Sequence, residues 1–285
     1  MSQETSRRGR RATPRMALAG VGPGGGASVL SRINRGRWVE RVTGYLIFFG
    51  IWFALHFFVF EEFVLPSPVT VVQEMGRLAS EGLLLEHGAV TFSLIFRAFA
   101  IAVVLGTAIG VAMGLSRWFD GFFRDGLLLS FTTPGLIFVL ISLLVFGLSW
   151  IGPVLAIVLP TIPYVAINVW EGVRAIPRDT MDMATAFRMS MATRLRHVVI
   201  PAVAPYLFTG IRFAFSQAWK IAMLTEIFGG DQGIGYNIRV ESIQFRMATL
   251  LAWVLWFFVA AIILERVVLQ RLVKRSLRWR KEIAS

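Results

Sequence analysis

Two ionisable side chains interrupt the apolar run from Tyr206 to Phe228, with Lys220 near its middle and Glu226 near its end. A charge at such depth costs ~2.5–3.5 kcal/mol even on insertion scales, so each needs a partner or a purpose. Six residues apart, the two lie about 240° around a helix and about 9 Å along it, so they do not pair with each other. Lys220 is also ~12 Å from the end of the run, too deep for its amine simply to snorkel out. Either it pairs with an acid of a neighbouring helix, or, beside Trp219, it lines a pathway and attracts an anion. Glu226 reads first as structural, holding the outer end of its helix or the following loop, and second as part of the same pathway.

Other chemistry is missing from the sequence. No G-x-x-x-x-G-K-[ST] loop occurs, so the chain has no phosphate cradle of that type; the glycine-rich stretch Gly20 to Ala27 has no lysine after it and reads as a linker. His56, His87 and His197 are far apart and lack metal-site spacing. There is no Gly-x-Ser-x-Gly elbow and no cysteine, which removes disulfides, iron–sulfur clusters and thiolate metal sites together. No catalytic residue, no metal ligand and no cofactor is expected in this chain.

The elements that position Lys220 and Glu226 follow from hydropathy and charge. Of 285 residues, 56% are hydrophobic, and the mean hydropathy is +0.67. The net charge of +12 would suit a nucleic-acid binder, but it is unevenly placed. Residues 1–41 carry +7, residues 42–265 carry −1 and residues 266–285 carry +6. Two basic ends around a neutral apolar body are the signature of a membrane protein and exclude a soluble nucleic-acid binder. Six apolar segments near the ~20 residues that a bilayer demands are expected at Val42–Phe60, Thr91–Leu115, Leu127–Leu148, Ile151–Trp170, Tyr206–Phe228 and Leu250–Leu269. The third and fourth are joined by a Gly, Ser and Pro turn at Gly147 to Pro153, which predicts a tight hairpin.

An even number of spans puts both termini on one side, and the positive-inside rule makes that side the cytoplasm. The loops agree. Between spans one and two stand Glu61, Glu62, Glu74, Glu81 and Glu86 against Arg77, whereas the loop between spans four and five holds Arg174, Arg178, Arg188, Arg194 and Arg196. Residues 1–38 are expected to be a disordered basic cytoplasmic tail, 39–275 the six-span domain with its long cytoplasmic loop at 171–205, and 276–285 a second cytoplasmic tail. In span two, Gly106, Gly110 and Gly114 line one helix face with small residues, for close packing within the subunit or, less simply, for a dimer interface.

The cytoplasmic loop carries Asp182, Ala184, Phe187, Arg188, Met189, Leu195 and Pro201. It resembles the E-A-A…G…I-x-L-P loop of binding-protein-dependent ABC transporter permeases. Leu65-Pro66-Ser67-Pro68, His87, Ser93, Leu94 and Arg97 fit the same family, and Gly210, Arg212, Ala218, Trp219, Glu226, Gly233, Gly235 and Tyr236 resemble its nitrate/sulfonate/taurine-type branch. The resemblance runs from about residue 62 to 275. Two departures stand out: Asp182 replaces a glutamate, and Arg188 replaces a glycine that permits φ > 0. Either the turn here uses negative φ, or the docking helix continues differently, or coupling to the ATPase is altered. Independently of the family, Met183, Phe187, Met189 and Leu195 amid charges suit a helix that docks in a partner's groove or rests on headgroups.

The resemblance implies an all-α integral membrane fold of the type I ABC importer kind, and a permease subunit in a bacterial cell inner membrane. It further implies a second copy of the chain, two cytoplasmic ATPase subunits that hold ATP and Mg, an extracytoplasmic solute-binding protein, and a small, anionic or organic solute. The rivals are a secondary transporter or channel needing no ATPase, which would favour inverted repeats with paired broken helices, and a membrane-embedded enzyme, which would need clustered His or acids.

Overall fold

The computed structural model describes residues 25–147 and 149–269; the expected tail at 276–285 and most of the expected tail at 1–38 lie outside the described residues. Every element is helical, and no strand occurs among the described residues. The chain divides into two compact units, Met1–Ala54 and Leu55–Ser285. The first is dominated by α1 (Gly25–Phe58), which starts inside the stretch expected to lack order. No proline interrupts the chain between Pro23 and Pro66, so nothing stops the first span's helix from extending backwards. Within α1 the rings of Phe49 and Trp52 stack at 6.3 Å, with Phe48 edge-on to both.

The second unit contains α2 (Pro68–Ser80), α3 (Leu83–Leu115), α4 (Arg117–Thr132), α5 (Gly135–Phe146), α6 (Ile151–Arg174), α7 (Arg178–Ala186) and α8 (Met191–Arg194), then a π-helical turn (Leu195–Val199), α9 (Ile200–Gly229), α10 (Ile234–Ile243) and α11 (Met247–Ile263). Five helical stretches are long and apolar enough to cross a membrane: Trp38–Phe58, Leu83–Leu115, Ile151–Arg174, Met191–Gly229 and Met247–Arg266. Exposed side chains such as Leu144, Phe213 and Ile262 suit a hydrocarbon solvent.

The third span departs from expectation. The segment expected as one helix, Leu127–Leu148, belongs to α4 and α5, which meet at a bend of 104°. Pro134 has no N–H and disfavours helical geometry at Thr133, which is extended at φ −71°, ψ 130°. At the break the threonine hydroxyls turn back onto the preceding turn: the Thr133 hydroxyl donates to the Leu129 carbonyl at 2.7 Å, and the Thr132 hydroxyl to Leu128 and Leu129 at 3.1 Å. In contrast, α6 runs unbroken through Pro160 and Pro163. Pro163 cannot donate to the Leu159 carbonyl, and Ser130 of α4 donates to it instead at 3.3 Å. Between α5 and α6 the chain reverses through Gly147, at φ +65°.

The core lies where α3, α6 and α9 pack together. Val165, Val169 and Val173 of α6 are buried with Val203 and Ala214 of α9 and Val199 of the π turn. Close approach of α3 depends on its glycine row. A Cβ on Gly106 would meet Val165 at 2.7 Å, one on Gly110 the Ala166 carbonyl at 2.5 Å, and one on Gly114 would collide with Val173. Gly106, Gly110 and Gly114 therefore pack inside the subunit, valine by valine, against α6. Outside the long helices, α2 joins α11 through the Thr249 hydroxyl, which donates to Glu74 at 3.1 Å, and the Trp256 indole, which donates to the Met75 carbonyl at 3.0 Å.

Candidate functional site

The loop expected at 171–205 is mostly helical. α7 ends in a Schellman turn: the Arg188 N–H donates to the Thr185 carbonyl at 2.9 Å and the Met189 N–H to the Ala184 carbonyl at 3.0 Å. Such a turn requires a left-handed residue after the cap, and Arg188 supplies it at φ +49°. The expectations of negative φ at Arg188, or of a helix continuing through it, are thus replaced: the geometry a glycine would give is kept with an arginine. Ser190 then caps α8, its hydroxyl accepting from the Thr193 N–H at 3.2 Å.

Burial sorts this loop into two sides. Ala184 is buried, Leu195 packs into the α6–α9 core and Met189 is half-buried, so Leu195 is not on the outward face expected for it. Pro201 stands in the first turn of α9, where its missing N–H costs nothing. The outward apolar residues are Met183, Phe187 and Met191, the last not singled out in the sequence, with exposed Asp182 and Arg188 beside them. Three exposed apolar side chains flanked by charges form a patch that a partner's groove can cover.

On α9 the expected pathway residues separate. Trp219 and Lys220 line one cavity of about 340 Å³ between α9 and α11, together with Arg212, Ser216, Phe257, Phe258 and Glu265. Trp219 stacks on Phe257 at 4.3 Å, and its indole N–H is buried without a hydrogen-bond partner. Glu265, the acid in this cavity, is taken by Arg212 at 2.9 Å. Lys220 therefore has no ion-pair partner among the described residues, and the pairing with a neighbouring acid that its depth suggested is not formed.

Glu226 faces elsewhere. It is 3% exposed and lines a different cavity, about 260 Å³, with Arg97, Trp150, Thr225, Asp231 and Gln232. Its Oε2 accepts from the Thr91 hydroxyl of α3 at 2.9 Å and from the Gly235 N–H at 2.8 Å, while Thr91 accepts from the Ile234 N–H at 2.9 Å. One carboxylate thus ties the end of α9 to α3 and to the first turn of α10. Gly233, at φ +100°, admits the carboxyl; a Cβ there would lie 2.5 Å from it. Thr91, Ile234 and the Gly233 conformation were not assigned from sequence, and the Gly233-Ile234-Gly235 pattern was the available signal. Glu226's other oxygen has no partner. Among the described residues, no group of three His, Asp or Glu converges on a point where a metal could sit.

Known proteins resemble this chain in sequence, and one resembles it in fold. Over 182 residues the chain is 31% identical to the bicarbonate transport system permease protein CmpB of Synechococcus elongatus (63% of this chain, 66% of CmpB). It is 28% identical over 173 residues to SsuC of Escherichia coli (strain K12), named as an aliphatic sulfonates transport permease protein (61% of this chain, 66% of SsuC). It is 25% identical over 224 residues to the taurine transport system permease protein TauC of the same organism (77% and 81%). The matched region thus spans about two thirds of CmpB and SsuC. The fold is similar to a chain of the MetNI methionine ABC transporter in an inward-facing crystal structure, with a TM-score of 0.58, 16% identity, and coverage of 69% of this chain and 97% of that one. Residues 102–279 match the family of binding-protein-dependent transport system inner membrane components, and the chain belongs to that family.

Proposed function

We propose that this chain is the membrane-spanning permease subunit of an ATP-driven importer for a small anionic solute, with ATP hydrolysed on a separate subunit. Family membership supports the permease role. The observation that carries the coupling is the patch of Met183, Phe187 and Met191 held outward beside Asp182 on a left-handed turn. An ATPase subunit with an apolar groove takes this patch, and closure of two such subunits pulls the loops of two permease copies together. The pull rocks the spans between inward-open and outward-open states. In this reading the basic ends face the cytoplasm of a bacterial inner membrane, and a binding protein delivers solute from the other side.

An anionic cargo is supported by two things. The relatives are named for bicarbonate, sulfonates and taurine, all carrying an oxyanion. Lys220, unpaired beside the indole of Trp219, offers a cation at mid-span. Glu226 is, in this reading, the tie that holds the outer end of α9 and not a contact for cargo. The test of the coupling is Asp182→Arg in the assembled complex. The expected outcome is loss of the ATPase subunit on purification, or ATP hydrolysis no longer stimulated by cargo; a normally assembled and fully coupled complex would remove the loop from this role.

A further inference from the structure

A polar cavity of about 730 Å³ opens between the end of α3, the start of α4 and the end of α6. Arg117, Arg124, Arg174 and Trp170 line it, with Asp120 and Asp125. Two guanidiniums lie over the Trp170 ring, Arg124 at 5.0 Å and Arg174 at 4.9 Å from its centroid. Cation–π contact fixes these planar groups in orientation without consuming their hydrogen bonds. Arg124 spends its donors on Asp120, at 2.6 and 3.2 Å. Arg117 and Arg174 have no carboxylate partner among the described residues, and the Trp170 indole N–H is buried with no acceptor.

Two guanidiniums without a carboxylate partner thus line a volume that holds a phosphate group, against a single carboxylate there, Asp125, that Arg124 does not take. The first turn of α4 opens on the same space, and Ser116 gives it no side-chain cap. What supplies the phosphate follows from the rest of α4. Its other face presents Trp118, Phe119 and Phe122, with Trp118 and Phe122 stacked at 5.4 Å and both about two-thirds exposed. An exposed aromatic row next to a basic face, where two membrane-spanning helices end, lies at headgroup depth. Basic pockets between such helices suit anionic headgroups.

We infer that the Arg117/Arg174/Trp170 cavity binds the phosphate of an anionic phospholipid, with the acyl chains passing along the aromatic face of α4. Phosphate oxygens accept from the two guanidiniums, and the lipid thereby clamps α4 to the end of α6. The assembled complex in detergent tests this with short-chain phosphatidylglycerol, short-chain phosphatidylcholine and inorganic phosphate at equal concentration, read as thermal shift. Expected is a saturable rise with phosphatidylglycerol alone, its apparent affinity weakened about fivefold by Arg117→Gln and again by Arg174→Gln. Arg117 touches no ring and is exposed, so its variant keeps the fold while removing one donor. An equal shift with inorganic phosphate makes this a free-anion site and overturns the lipid assignment. A phosphatidylglycerol shift unchanged in Arg117→Gln and Arg174→Gln overturns the site itself.

Discussion

Arg188 shows how a single residue holds a docking surface at a cost. A left-handed arginine is disfavoured by about 1–2 kcal/mol, part of which a glycine would return as unfolded-chain entropy. Arg188→Gly is therefore expected to raise stability by about 0.5–1 kcal/mol in thermal denaturation, and a loss of stability would mean that the arginine side chain makes up for its backbone. Lys220 poses the complementary question, a charge whose backbone is ordinary and whose position is not. Lys220→Met is expected to reduce uptake of anionic cargo at least several-fold, with assembly and ATPase activity retained; unchanged uptake kinetics would take it out of the pathway. Both residues were legible in the sequence, because a charge amid apolar residues and an arginine in a glycine's place are visible without coordinates. Glu226 was visible too, but its partners were not: Thr91 lies 135 residues away, and no local pattern reports a hydrogen bond across that separation.

At the scale of elements, close packing of α3 on α6 rests on missing methyl groups. Gly110→Ala places its Cβ against the Ala166 carbonyl, which is backbone and cannot rotate away. A loss of about 1–3 kcal/mol is expected from such overpacking, read as a lowered melting temperature. Gly121→Ala on α4, where an added Cβ meets nothing within 4 Å, is the control and should be neutral or stabilising through helix propensity. Equal effects at the two positions would mean that the helices separate without penalty. The spacing of Gly106, Gly110 and Gly114 predicted a packed face, and α6 is what packs on it. The broken third span was harder to read. Its apolar content runs straight through Thr132-Thr133-Pro134-Gly135, so hydropathy joins what Pro134 divides. Pro160 and Pro163 would have argued for a break in α6, where none occurs; at Pro163, Ser130 supplies the missing donor. A proline's effect depends on whether a neighbour meets the stranded carbonyl, which only tertiary structure decides.

Across the whole second unit, the early and late parts of the chain are fastened by a small polar group on α2, α10 and α11. Glu74 accepts from Arg77 of its own helix and from Thr249, 175 residues on. The Arg77 hydrogen bond, with Thr249 adding to it against partial burial, holds the Glu74 carboxyl below its ordinary value of 4.5. A lowered carboxylate contributes stability that is fully present above pH 4.5 and fades as pH falls through its depressed value. Acid titration of the melting temperature should therefore show a decline below that point which Glu74→Gln flattens; an identical acid limb in the variant would mean that the fastening lies elsewhere. Nearby Glu241 behaves in the opposite sense, since burial raises its carboxyl despite the Arg246 ion pair at 2.7 Å.

The bend at Pro134 also sets a length. α5 has 12 residues, about 18 Å of helix, against a hydrocarbon layer of about 30 Å. Where α5 alone is matched by lipid, without the apolar end of α4, the bilayer has to pinch inward. Such a pinch has an elastic cost that grows with acyl-chain length, so thicker membranes resist this chain more than thin ones do. Host-membrane thickness then becomes a variable of the transport cycle, acting through a helix that carries no charge at all.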